Sequence, residues 1–96
     1  MKFEVKIHKL IENGKPLKAS ASVVIDGQYV VHNVRVIKTD KGLFMGMPFE
    51  SFTDKDGVIQ RKDVFHPINS EARQAMQDAV LAAYEKKISE NADETN

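Results

Sequence analysis

Three histidines, an aspartate-rich turn and the basic pair Arg61-Lys62 are the positions of this 96-residue chain whose side chains could carry chemistry. His66 stands three residues after Asp63, a pairing that suits acid–base work when a pocket and an orienting partner accompany it. One histidine near one aspartate is common by chance. His66 also precedes Pro67, so a structural place before a turn outweighs catalysis. His8 falls on the predicted outer face of a strand, and His32 on a predicted inner face where a hydrogen-bonded imidazole is expected. Scattered histidines with no cysteine and no paired spacing form no metal-ligand pattern. Asp54-Lys55-Asp56-Gly57 opens like a calcium loop. Such a loop needs a glutamate about six residues after its glycine; Asp63 stands there, behind Arg61-Lys62, so the segment reads as a turn. Gly-rich phosphate loops and nucleophile elbows are lacking. These residues predict a binding protein, not an enzyme, with no cofactor, no metal and no small-molecule substrate.

Arg61 and Lys62, with Lys55 and Arg73 nearby in sequence, make a short basic cluster that could contact phosphates. A charged strand edge that resists aggregation would look the same. Phe49 and Phe52 flank a stretch without periodicity, where they could stack on bases or anchor the loop to the core.

The elements that must position these groups are legible as periodicity. Phe3, Val5, Ile7 and Ile11 alternate as in a half-buried strand, with Lys9 the exception. Asn13-Gly14 marks a turn, and Leu17, Ala19, Ala21, Val23 and Ile25 repeat the alternation. Asp26-Gly27 is a two-residue hairpin signal of type I′. It predicts Val23 opposite Val30, Ala21 opposite His32 and Ala19 opposite Val34. A three-residue first loop, Asn13 to Lys15, then aligns Ile7 with Ala21 and Val5 with Val23; a one-residue slip would turn every side chain over. The third strand runs from about Gln28 to Lys38 and the short fourth from Leu43 to Met47, before Pro48. Val58 to Phe65 returns as a strand or extended edge. Asn69 or Ser70 caps a helix in which Ala72, Met76, Val80 and Tyr84 share one face. The expected fold is α+β: an antiparallel meander of four to five strands followed by one C-terminal amphipathic helix.

This register leaves Tyr29, Val31, Asn33, Arg35 and Ile37 on a mixed outer face suited to a partner. Valines on both faces of the third strand call for more cover than one helix supplies, which predicts a homodimer. The chain is one domain over residues 1–88, with an acidic, disordered tail expected at 89–96. Net charge is zero, from 14 basic and 14 acidic residues. The halves differ, with an excess of four basic residues before position 49 and of four acidic residues after it. Neutrality makes nucleic-acid binding unobvious by charge alone. The absence of cysteine and of an apolar block near the start points to the cytoplasm, with no membrane span.

Several ordered segments carry a family resemblance. Val31-His32-Asn33-Val34-Arg35-Val36-Ile37, Gly42-Leu43-Phe44-Met45-Gly46-Met47-Pro48, Asp56-Gly57 and Asp63-Val64-Phe65-His66-Pro67-Ile68-Asn69 resemble the stage V sporulation protein G (SpoVG) family. The resemblance spans about residues 3 to 84. It implies a small dimeric regulator that binds DNA and, in some members, RNA, with ties to septation, sporulation and gene regulation. The family's basic residues usually follow directly after Met-Pro. Here Phe49-Glu50-Ser51-Phe52-Thr53-Asp54 follows Met47-Pro48 and the first base is Lys55. The resemblance therefore leaves Arg61, Lys62 and Arg73 as phosphate contacts. A protein-interaction module working through the mixed sheet face is the alternative reading.

Overall fold

A computed structural model describes residues 1–11 and 14–94, with side chains described through residue 90. Alternating apolar positions and tight turns produce β1 (Phe3–Leu10), β2 (Leu17–Ile25), β3 (Tyr29–Thr39) and β4 (Gly42–Gly46). They form an antiparallel sheet in the order β1-β2-β3-β4. β5 (Phe49–Thr53) and β6 (Ile59–Asp63) pair with each other in a separate two-stranded sheet. α1 (Ser70–Glu94) closes the chain.

The helix begins where Asn69 Oδ1 accepts the Ala72 N–H at 2.7 Å, satisfying one orphan donor of its first turn. Met76, Val80 and Tyr84, four residues apart, are buried against Val23, Val31, Val34, Val36, Met45 and Met47. The helix backbone packs chiefly on β1 and β4. Its Gln77 Oε1 accepts the Met45 N–H at 3.2 Å, reaching into the edge strand. With no glycine or proline after Pro67, α1 continues past residue 88 to Glu94. Residues 95 and 96 lie outside the described residues. No helix among the described residues is long and apolar enough to cross a membrane.

Register decides which side chains enter the core. β1 meets β2 with Val5 opposite Val23 and Ile7 opposite Ala21, as parity predicts. A bulge then absorbs His8, so that Lys9 pairs with Ser20 and Leu10 turns inward opposite Ala19. That bulge is the physical reason Lys9 interrupts the alternation. Part of the predicted Asn13–Lys15 loop, Asn13 itself, lies outside the described residues.

The β2–β3 hairpin corrects the expectation. Asp26 and Gly27 both have positive φ, at 52° and 66°, and the Gln28 N–H donates to the Ile25 carbonyl at 3.0 Å. The turn therefore has the expected hand. The ladder nevertheless resumes one residue later, with Tyr29 opposite Ile25 and Val31 opposite Val23. Val31 is consequently buried in the core and His32 is exposed, the reverse of the predicted arrangement. A second bulge between Val31 and Val34, with Asn33 at φ 63°, restores Val34 and Val36 to the inside. Asparagine tolerates this left-handed conformation better than most side chains. The outward valine of β3 is Val30, not Val31.

Residues 49–53, without periodicity in sequence, are the strand β5. The turn joining it to β6 is organised by Asp54. Its Oδ1 accepts the N–H groups of Asp56 and Val58, each at 2.9 Å, and its Oδ2 accepts the Gln60 side-chain amide at 3.1 Å. The Gln60 amide first, then the Val58 N–H, hold the Asp54 carboxyl below the usual carboxylate range. A carboxyl depressed in the folded state stabilises the turn above its unfolded value of about 3.9, and that contribution is lost as pH falls through the folded value. Asp54→Ala is expected to remove hydrogen-exchange protection from the Val58 amide while leaving β2 and β3 protected. Unchanged protection at Val58 would contradict this role.

Candidate nucleic-acid interface

Arg35 lies opposite Gly46 in the β3–β4 ladder. A Cβ at Gly46 would stand 2.8 Å from Ile37 Cδ1 and 2.9 Å from Arg35 Nη2. The missing side chain lets Arg35 cross β4, donate from Nη2 to the Met47 carbonyl at 2.9 Å, and bring its Cζ 4.9 Å from the Phe49 ring centroid. Pro48 turns the chain out of the sheet, and the Val64 N–H donates to its carbonyl at 3.0 Å, closing the base of the β5–β6 hairpin. On that hairpin Phe49 pairs with Asp63 and Ser51 with Arg61, which puts Phe49 and Arg61 on one face. The Arg61 Cζ also lies 4.9 Å from the Phe49 centroid.

Two guanidinium groups from two separate sheets thus converge on one aromatic ring. Each such contact contributes about 0.5–1 kcal/mol at an exposed site. Sharing one ring keeps the two charges within one Debye length of about 10 Å. Among the described residues, neither arginine has a carboxylate partner; the ion pair there joins Lys2 to Glu4 at 3.7 Å. Glu50 borders the hollow beside Arg35 and faces Lys62 across the hairpin ladder. Arg61 is exposed and Arg35 half-buried, with one Arg35 donor taken by the Met47 carbonyl; the remaining guanidinium donors are of the kind that suits phosphate oxygens.

The other predicted basic residues do not join this pair. Lys62 follows Arg61 and so points from the opposite face of the hairpin, Lys55 lies at the hairpin tip, and Arg73 is exposed in the first turns of α1. The predicted partner face also divides. Val31 is in the core, Tyr29 is exposed at the hairpin end, Asn33 sits in the bulge, and Arg35 and Ile37 remain together on the outer side. His66 donates from Nδ1 to the Pro67 carbonyl at 3.0 Å and makes no hydrogen bond to Asp63.

The structure also unites two histidines that the sequence separates. Ser22 Oγ is hydrogen-bonded to His8 Nε2 at 2.6 Å and to His32 Nδ1 at 2.9 Å. Both rings come from bulges flanking β2, and they cover a serine that is only 5% exposed. Ser22→Ala is expected to cost about 1 kcal/mol in urea unfolding, since the exposed rings can bond water instead. A neutral substitution would show that the bridge adds nothing to stability.

The SpoVG family model matches residues 1–86. The chain belongs to the SpoVG family. It is 46% identical over 87 residues to a Clostridium beijerinckii protein named "Putative septation protein SpoVG", covering 91% of this chain and 90% of that one. A Clostridioides difficile protein of the same name is 41% identical over 85 residues, with 88% and 87% covered. A Listeria monocytogenes relative, SpoVG 1, is 44% identical over 82 residues, with 85% and 76% covered. In the place after Met-Pro where the SpoVG resemblance puts a basic run, this chain has Phe49, and that ring gathers Arg35 and Arg61 from elsewhere in the fold. Gly46→Ala tests the local reason. The obstructing atoms end flexible side chains, so the fold should persist while Arg35 leaves Phe49 and its side-chain protons lose their ring-current shifts. Unchanged shifts would mean that Gly46 is not what admits Arg35.

Proposed function

We propose that the chain is a homodimeric nucleic-acid-binding regulator of the SpoVG type, acting in septation or gene regulation. The observation that carries this reading is the pair Arg35 and Arg61 on Phe49, two cations without a carboxylate partner among the described residues. Such a pair replaces, by folding, a basic run that the sequence lacks after Pro48. Binding of this kind is dominated by phosphate contacts and falls steeply with salt.

Dimerisation draws support from the β5–β6 hairpin. Among the described residues its strands pack their backbones only on each other, and an isolated two-stranded hairpin is marginal in water. Phe52, Val58 and Ile59 are 49%, 52% and 72% exposed on it. A second copy of the chain would give these side chains cover and set two arginine pairs in one symmetric assembly. Sedimentation velocity at micromolar concentration is expected to give a dimer, and gel shift at low salt is expected to give a complex with DNA or RNA. A sharp monomer would overturn the dimer. A dimer that shifts neither nucleic acid would favour the assembly reading, with Val30, Ile37 and Phe44 of the outer sheet face as its contact surface.

A further inference from the structure

The outer face of the four-stranded sheet, opposite α1, has a charge pattern that the net charge of zero conceals. The register sets Lys9 opposite Ser20, Ser20 opposite Arg35 and Arg35 opposite Gly46, a straight row across all four strands. Neighbouring strands lie about 4.8 Å apart, which separates the Lys9 and Arg35 backbones by about 10 Å. Lys6, opposite Ser22, stands in the adjacent row beside the two imidazoles. The acid on the same face of β1, Glu4, is tied to Lys2 at 3.7 Å. Arg35 joins this row to Arg61 through the Phe49 ring. His8 and His32 are exposed, yet the Ser22 hydroxyl fixes both rings, so little side-chain entropy remains to be lost on contact. The Phe44 ring is 38% exposed on the same face, opposite Ile37.

We propose that this face is a track for a single-stranded nucleic acid, leading from Arg61 and Arg35 across Ser20 to Lys9, with Lys6 and the His8–His32 pair beside it. The proposal rests on the nucleic-acid reading above and names the form of nucleic acid and the surface. Charge complementarity selects the class of occupant, since Lys6, Lys9 and Arg35 stand on the outer side, where Glu4 is paired with Lys2 and Glu50 is the acid beside Arg35. Shape selects the form. A flat sheet face cannot enter a duplex groove about 12 Å wide, whereas unstacked bases lie on fixed rings while the backbone follows cations. A duplex would engage the projecting arginine pair alone.

The test is fluorescence anisotropy with a labelled mixed-sequence single-stranded oligonucleotide, as DNA and as RNA, and the matching DNA duplex. The proteins are the full chain, Lys6→Glu/Lys9→Glu, and Arg61→Glu. Lys6→Glu/Lys9→Glu is expected to weaken single-strand binding about 10-fold or more and to flatten its salt slope by about 1.4, leaving duplex binding within about 2-fold. Arg61→Glu should weaken both forms. In the full chain, amide NMR shifts on adding the single strand should spread from Arg35 through Ser20, Ser22 and His32. Normal single-strand binding by Lys6→Glu/Lys9→Glu, together with loss in Arg61→Glu, would overturn the track and leave the proposed function standing. Absence of binding by the full chain at low salt would overturn both. Conversion of Lys6→Glu/Lys9→Glu to a monomer would overturn the track by assigning the face to a second copy.

Discussion

Reversing both charges, Arg35→Glu with Arg61→Glu, is expected to lower nucleic-acid affinity about 100-fold at low salt. The size follows from what the pair lacks. Among the described residues neither guanidinium is in an ion pair with a carboxylate, and both are held near one ring. Glutamates in their place would turn the site into one that repels the backbone. Arg61 is exposed on the hairpin, so Arg61→Glu alone should keep the melting temperature and lose about 10-fold in affinity. Arg35 also donates to the Met47 carbonyl, so the double variant needs a circular dichroism check that the fold is intact. Anisotropy against the same oligonucleotide reads the effect. Wild-type affinity in a folded double variant would refute the site.

The second large effect concerns the packing that positions Arg35. Val80→Asp is expected to leave the chain unfolded at neutral pH, with loss of the helical signal at 222 nm. Val80 is fully buried in the contact of α1 with the sheet. A lone carboxylate there has no partner and costs several kcal/mol. Losing the valine packing adds about 2 kcal/mol to that cost, against a total of about 5–14 kcal/mol for the whole fold of a domain this size. Val80→Ala should remain folded, destabilised by about 2 kcal/mol in urea. A folded Val80→Asp would mean that the helix is not required to cover the sheet.

Much of the scaffold was legible because local chemistry agrees with the global fold. Asp26-Gly27 specified a turn of the right hand, Asn69 capped the helix, and the parity of Val5, Ile7, Ala21 and Val23 gave the first strand pairing. Periodicity failed where a bulge intervened, since one inserted residue exchanges the two faces of a strand. The ladder after Asp26-Gly27 resumes one residue late, at Tyr29, and that extra residue puts Val31 inside and His32 out. The later bulge, with its positive φ at Asn33, returns Val34 and Val36 to the inside, and an asparagine in the middle of a valine-rich strand is the signal that could have marked it.

The candidate site was less legible. Arg61 stood out because it neighbours Lys62, yet only Arg61 shares the ring with Arg35. Parity alone assigns Arg35 to a partner face. Cation–π contact between two separately folded sheets leaves no spacing pattern in the chain. Its sequence trace is indirect: Gly46, opposite Arg35, followed by Met47, Pro48 and an aromatic residue. The Ser22 bridge is hidden for a similar reason, since His8 and His32 meet only after two bulges have turned them toward one hydroxyl.

The most direct measurement is the salt dependence of duplex DNA binding, with log affinity plotted against log salt for the wild type and Arg35→Glu/Arg61→Glu. A dimer presenting both arginine pairs to phosphates predicts a wild-type slope near −3.6, about 0.9 for each of four contacts, and a much shallower slope for the variant. Absence of wild-type binding at low salt, or a slope that the double reversal leaves unchanged, would contradict a phosphate-binding role for Arg35 and Arg61.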